Sequence, residues 1–119
     1  MESPEEKLAG MLTRFLNRYG KVKRINLNAQ KSSKVYPFVV DSKNQKFAVF
    51  AYEWVKSIGT NTTIRSEQLS ENMKCDGTII IGNIFSQNAI DMVEEINNRG
   101  DKKIILMSFE EVKEILNAS

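Results

Sequence analysis

Two short runs constrain the fold of this chain most: Gly77-Thr-Ile-Ile-Ile81 and Lys103-Ile-Ile-Leu-Met107. Neither run alternates to leave one side in water. Strands of that kind are buried on both faces, as in parallel sheets covered by helices. Between the runs, Ala89, Met92, Val93 and Ile96 recur at helical spacing. The segment from about Phe85 to Asn98 therefore reads as a helix, closed by Asn98-Arg-Gly100. Strand, helix and strand should form a right-handed parallel crossover.

Other elements follow from the same periodicities. Ser3 can cap a first helix, Pro4 suits its first position and Glu6 completes a capping box. Leu8, Met11, Leu12, Phe15, Leu16 and Tyr19 form its apolar stripe, and Gly20 is the expected stop. Arg24 to Gln30 alternates, with Ile25, Leu27 and Ala29 on the inner side, and reads as a half-buried strand. A second strand is expected at Val35–Asp41, with Pro37 near its start or on an edge. Ser42-Lys-Asn-Gln45 has turn chemistry. Lys46–Trp54 is apolar on both sides and reads as a central strand. A polar loop at 57–63 leads to a helix over about Ile64–Lys74. Ser108 opens the last helix, with Glu111 in capping-box register. The order is α-β-β-β-α-β-α-β-α, a mixed sheet with helices on both faces in one α/β domain spanning 1–119.

At 119 residues and 41% hydrophobic, the chain can build one core. No apolar run approaches the roughly 20 residues of a membrane helix, and Met-Glu-Ser-Pro-Glu-Glu-Lys is too polar for a secretory signal. The expected setting is cytoplasmic, without a membrane partner. A lone Cys75 excludes an internal disulfide framework. The absence of histidine removes Ser-His-Asp and Cys-His nucleophile systems and imidazole metal sites. Any chemistry must run on carboxylates, Lys, Tyr or a carboxylate-held metal.

The net charge of +2 hides an asymmetry. Residues 1–60 carry eleven Lys/Arg and five Asp/Glu, or +6; residues 61–119 carry six and ten, or −4. The basic and amide residues expected to meet a polyanion are Lys21, Lys23, Arg24, Asn26, Asn28, Lys31, Lys34, Lys43 and Lys46, mainly as phosphate contacts. The bland alternative is a solvated face whose charge is balanced by acids of the other half after folding.

Other motifs carry little. Ser57-Ile-Gly-Thr lacks the spacing of a phosphate loop. Gly82-Asn83 precedes a helix, as nearly every β-α turn does. Cys75 has no activating neighbour beyond Lys74 and reads as a quiet thiol. Phe50, Tyr52 and Trp54 alternate on one side of a strand; core is the expected role, base stacking the rival.

The stretches Cys75-Asp-Gly-Thr-Ile-Ile-Ile-Gly-Asn-Ile-Phe-Ser-Gln-Asn-Ala89 and Lys102-Lys-Ile-Ile-Leu-Met-Ser-Phe-Glu-Glu-Val-Lys-Glu-Ile-Leu116 resemble the end of Mrr-type restriction endonuclease domains. The first helix with Glu6, and the order with a hairpin between strands two and three, resemble the restriction-endonuclease-like superfamily over nearly the whole chain. The resemblance implies a restriction-endonuclease-like mixed sheet and, in active members, Mg²⁺-dependent phosphodiester hydrolysis. It also implies an Asp on strand two and a Glu/Gln-x-Lys on strand three as the metal site, since Mg²⁺ prefers oxygen ligands. Here those positions fall at Pro37 and at Phe50-Ala51-Tyr52. The expectation is a nucleic-acid-binding domain without the usual metal site and without a cofactor, meeting DNA, with RNA as the other polyanion its charges would attract.

Two rivals stay open. One is an active endonuclease with a rearranged site built from Asp41, Glu53, Lys56 and Glu6, with Mg²⁺ as cofactor. A 42–45 turn would set Asp41 against Lys46 and Glu53 near Lys34, too far apart to share one metal. The other is an interaction module, a homodimer or the silent partner of a larger enzyme.

Overall fold

A computed structural model describes residues 3–26, 34–100 and 102–118. The elements are α1 (Pro4–Leu16), β1 (Lys21–Arg24), β2 (Val35–Asp41), β3 (Lys46–Tyr52), α2 (Thr60–Asn72), β4 (Gly77–Gly82), α3 (Gln87–Arg99), β5 (Ile104–Ser108) and α4 (Phe109–Asn117). The five strands form one sheet in the order β1-β2-β3-β4-β5. β1, β2 and β3 pair antiparallel; β4 and β5 continue parallel to β3. The expected α/β element order is the observed one.

Each face of the sheet has its own core. Leu12, Phe15 and Leu16 of α1 and Phe109 and Val112 of α4 bury Tyr36, Phe38, Val40, Val49, Ala51 and Ile81 on one face. On the other, α2 and α3 cover Ala48, Phe50, Tyr52, Ile80 and Ile104. Both crossover helices lie on the same face because the chain steps the same way twice, β3 to β4 to β5, with one handedness. The aromatic stripe divides accordingly. Phe50 and Tyr52 are buried, and Trp54 packs against the same core with its ring 4.7 Å from that of Tyr52.

Several boundaries differ from expectation. The first strand is Lys21–Arg24, not Arg24–Gln30; the residues that pair with β2 carry only Val22 as an apolar signal. Leu27 and Ala29 of the expected strand lie outside the described residues. α1 ends at Leu16, with Asn17 as its cap, and Gly20 does not stop it. Gly20 instead allows a close approach, since a Cβ there would sit 2.6 Å from the Asp41 carbonyl oxygen. α2 starts at Thr60, four residues early, behind a Gly59 cap that offers no side chain. α3 starts at Gln87, because Phe85 bridges to Ile58 and Ser86 accepts the Ala89 N–H at 3.1 Å. β3 ends at Tyr52, two residues short of Trp54.

Pro37 sits inside β2, which is an interior strand and not an edge. Its carbonyl accepts the Ile25 N–H at 3.0 Å, so its nitrogen also turns toward β1. That nitrogen lies just beyond the last β1 pair, Arg24 with Phe38. The missing donor therefore falls at the fraying end of the ladder, where the Ile25 N–H to Pro37 carbonyl bond remains.

Candidate nucleic-acid interface

Among the described residues, the α2/α3 layer covers β3, β4 and β5 and the Val35–Pro37 end of β2, but leaves the same face of β1 and of β2 at Val39 and Asp41 open. Strand alternation and register decide what appears there. Lys21 pairs with Asp41 and Asp41 with Lys46, so the three side chains form one row. The next row is Lys23, Val39 and Ala48. Lys21, Asp41, Lys46, Lys23 and Val39, with Met73 at the end of α2, line a groove of about 820 Å³, while Ala48 is buried beneath the helices. Lys21 and Lys23 are exposed, and Lys46 is half-buried. On one strand Lys21 and Lys23 stand about 6.7 Å apart; Lys21 and Lys46, two strands apart, about 9.5 Å.

The remaining expected contacts divide. Asn26 and the backbone of Arg24 line the same groove. The Arg24 side chain belongs to the opposite face, its guanidinium carbon 6.0 Å from the centroid of the Tyr36 ring. Lys43 is exposed in the Ser42–Gln45 turn, which is closed by Ser42 N–H to Gln45 O at 2.9 Å. Lys34 stands at the far end of β2 in a left-handed conformation, and its carbonyl accepts the Glu53 N–H at 3.0 Å. Asn28 and Lys31 lie outside the described residues. The structure thus gathers Lys21, Lys23, Lys46 and Asn26, and separates Lys34 from them.

Among the described residues, the ion pairs of the second half's acids lie away from this groove, although Asp76 reaches Lys46, accepting its N–H at 2.8 Å. Glu67 and Glu71 bind Lys102, and Glu95 binds Arg99. All five residues belong to the second half of the chain.

The carboxylates of the alternative catalytic set are not brought together. Asp41 pairs with Lys46, while Glu53 lies beside Lys34, seven residues along β3. That is about 23 Å along the strand, beyond the reach of one metal ion. Glu53 Oε1 accepts the Tyr36 hydroxyl at 3.1 Å. Lys56 Nζ lies over the Trp54 ring, 4.6 Å from its centroid. Glu6 is exposed in the first turn of α1, its N–H bonded to Ser3 Oγ at 3.2 Å. At the positions implied by the family pattern, Pro37 pairs with Phe50, and all of Pro37, Phe50, Ala51 and Tyr52 are buried. Among the described residues, no three carboxylates or thiols gather as a metal site. These residues do not fit the family's Mg²⁺ arrangement.

Two features escaped the sequence. Tyr36, Glu53 and Arg24 form a cluster on the α1/α4 face that only the β2–β3 register could reveal. Asp76 fixes the start of β3, accepting the Lys46 N–H at 2.8 Å and donating its own to the Lys46 carbonyl at 2.6 Å. Cys75 is half-buried beside it, and burial pushes its thiol up, against the pull of Lys46. A thiol held protonated is a poor nucleophile. Comparison with protein-family models, with curated proteins and with solved structures finds no significant match to this chain.

Proposed function

We propose that this chain is a nucleic-acid-binding domain of restriction-endonuclease-like architecture, lacking the superfamily's metal site. Its binding surface is the open face of β1 and β2. One observation carries the reading: Lys21, Lys23 and Lys46 converge on a groove that, among the described residues, meets only the end of α2 at Met73. Lysines spaced along and across a sheet neutralise successive phosphates and release counterions, which drives binding without reading sequence. The element order, an antiparallel meander followed by a parallel crossover, supports the architectural part of the proposal. The roughly 23 Å between Asp41 and Glu53 favours binding over metal-dependent cleavage.

The test is anisotropy of labelled duplex and single-stranded DNA and RNA across a salt series, followed by a gel with Mn²⁺. Binding should weaken steeply with salt. The double variant Lys21→Glu, Lys23→Glu should weaken it further and reduce the logarithmic salt slope by about 2. Lys113→Glu, on α4, serves as the control. An unchanged slope in the double variant, or no binding at low salt, sinks the proposal. Mn²⁺-dependent cleavage abolished by Asp41→Ala would instead establish the rearranged nuclease.

A further inference from the structure

The positive charge of the β1–β2 groove is uneven. Lys21 and Lys23 stand in line on β1, both exposed. Asp41 stands one strand in from Lys21, also exposed. Lys46, half-buried, is flanked by Asp41 in its own row and by Asp76, which accepts its N–H at 2.8 Å. α2 ends at that wall of the groove with Met73 as its cap and no basic residue in its last turn. The negative end of the helix dipole therefore lies on the same side as the two acids. A phosphate has its favourable line along Lys21 and Lys23, at the β1 side.

The floor beside that line is apolar. Val39 pairs with Lys23 across the ladder, and Ile25 follows Lys23 by two residues, so alternation puts both on the face of the lysines. Ile25, Val39 and Met73 all line the groove and all are half-buried. Phosphates gain nothing from such a floor, whereas the bases of a nucleic acid do. A duplex keeps its base faces stacked and offers only their edges. A single strand can splay its bases while its backbone follows a line of cations. Among the described residues the lining holds no aromatic ring: Phe50 and Tyr52 are buried under α2 and α3, and Trp54 packs with them. Contact with the floor is therefore apolar burial, which is indifferent to base identity.

We infer that the groove takes a single strand in preference to a duplex. Its phosphates run along Lys21 and Lys23, and its bases turn inward over Ile25, Val39 and Met73. This rests on the nucleic-acid reading above and names the form of its ligand. Charge density works against the preference, since a duplex carries more phosphates per unit length and releases more counterions. A preference for the single strand must then come from its bases.

Anisotropy of the whole protein at low salt with oligothymidylate, oligouridylate, an abasic strand and a duplex, all of one length, tests this. At least one of the two base-bearing strands should bind about five- to tenfold more tightly than the duplex, the lower end of what one contacted base contributes. The tighter of the two distinguishes DNA from RNA. The abasic strand should bind no better than the duplex. The double variant Val39→Thr, Met73→Gln keeps side-chain size and adds no charge. It should lower the base-bearing strands to the level of the abasic one and leave the duplex unchanged. Val39→Thr alone, a residue that suits a strand, should give part of that loss without disturbing α2. Three results would overturn the inference while the nucleic-acid reading stands: single strands bound no more tightly than the duplex, an abasic strand bound as tightly as a base-bearing one, or an equal loss of every probe in the variants. No binding of any probe would sink both.

Discussion

Tyr36 shows how a single residue records its surroundings. It is 3% exposed, donates its hydroxyl to Glu53 and lies beneath Arg24. Burial, then the hydrogen bond to Glu53 and the charges of Glu53 and Glu5, push its phenol up to about 12, against the pull of Arg24. An unfolded chain holds the same proton with a pKa near 10. The folded protein binds it more tightly, so this stabilisation is complete below pH 10 and is lost as pH rises toward 12. Its size is at most about 3 kcal/mol. Tyr36→Phe should therefore flatten the decline of stability between pH 10 and 12, read as urea midpoints at fixed temperature. Parallel declines in variant and parent would mean that the phenol is not perturbed. None of this was legible in the sequence, because it depends on which residue faces Tyr36 across the hairpin. Gly20 makes the same point differently. Its position after an apolar stripe reads as a helix stop, yet the structure needs it for contact with the Asp41 backbone. Sequence shows that a glycine is required more readily than it shows why.

Among the elements, legibility followed the apolar signal. β4, α3 and β5 were plain because their sequences are apolar throughout or strictly periodic, although β5 is an edge strand whose Ile105, Leu106 and Met107 are only half-buried. β1 was misplaced because an edge strand open on one face needs only Val22 inside. α2 was read short because its inner face is polar. Thr63, Ser66 and Ser70 are buried and donate to the carbonyls of Gly59, Thr62 and Gly77, and Ser66 also meets the Tyr52 hydroxyl. Small hydroxyl residues that satisfy themselves locally can line a core without any hydrophobic period. The outer edge of β5 hides a second such device. Ile104 turns its N–H and carbonyl away from β4, and the Asn97 amide from α3 binds both, each at 2.8 Å. Ser108, two positions further along that edge beyond Leu106, gives its N–H to Glu111 Oε1 at 3.0 Å in the capping box. The apolar edge is thus closed at both ends, which blocks strand addition by another chain. Asn97→Ala should lower stability by about 1–3 kcal/mol, the cost of stranding a paired donor and acceptor. It should also promote concentration-dependent aggregation. Asn97→Asp, which keeps only the acceptor, should fall between. Urea titration and light scattering check both effects, and an Asn97→Ala protein as stable and monodisperse as the parent would remove the plug from the account.

Over the whole molecule, charge separates across the sheet. Lys21, Lys23 and Lys46 gather on the groove over β1 to β3, whereas Asp91, Glu94 and Glu95 line the exposed side of α3 beside β5. The sequence showed the imbalance between the halves but not whether folding would cancel it. The ion pairs of Glu67, Glu71 and Glu95 are made within the second half, but Asp76 comes to the start of β3 and accepts the Lys46 N–H at 2.8 Å. One acid lies in the lysine row itself. Asp41 stands between Lys21 and Lys46 in a single row, one strand spacing, about 4.8 Å, from each. Its place gives the two functional readings opposite consequences. As a metal ligand, Asp41 would be indispensable, and neutralising it would abolish activity. In a phosphate-binding row it repels the ligand, and neutralising it should help. Asp41→Asn should therefore tighten binding of a duplex DNA probe about two- to fivefold at low salt, the scale of one exposed charge interaction. The gain should shrink toward physiological ionic strength as screening shortens to roughly 8 Å. Anisotropy titrations of parent and variant at two salt concentrations measure it. Weaker binding by Asp41→Asn at both concentrations would mean that the carboxylate organises the lysines rather than opposing the ligand. The groove would then have to be redrawn around Asp41 as a structural ion-pair centre.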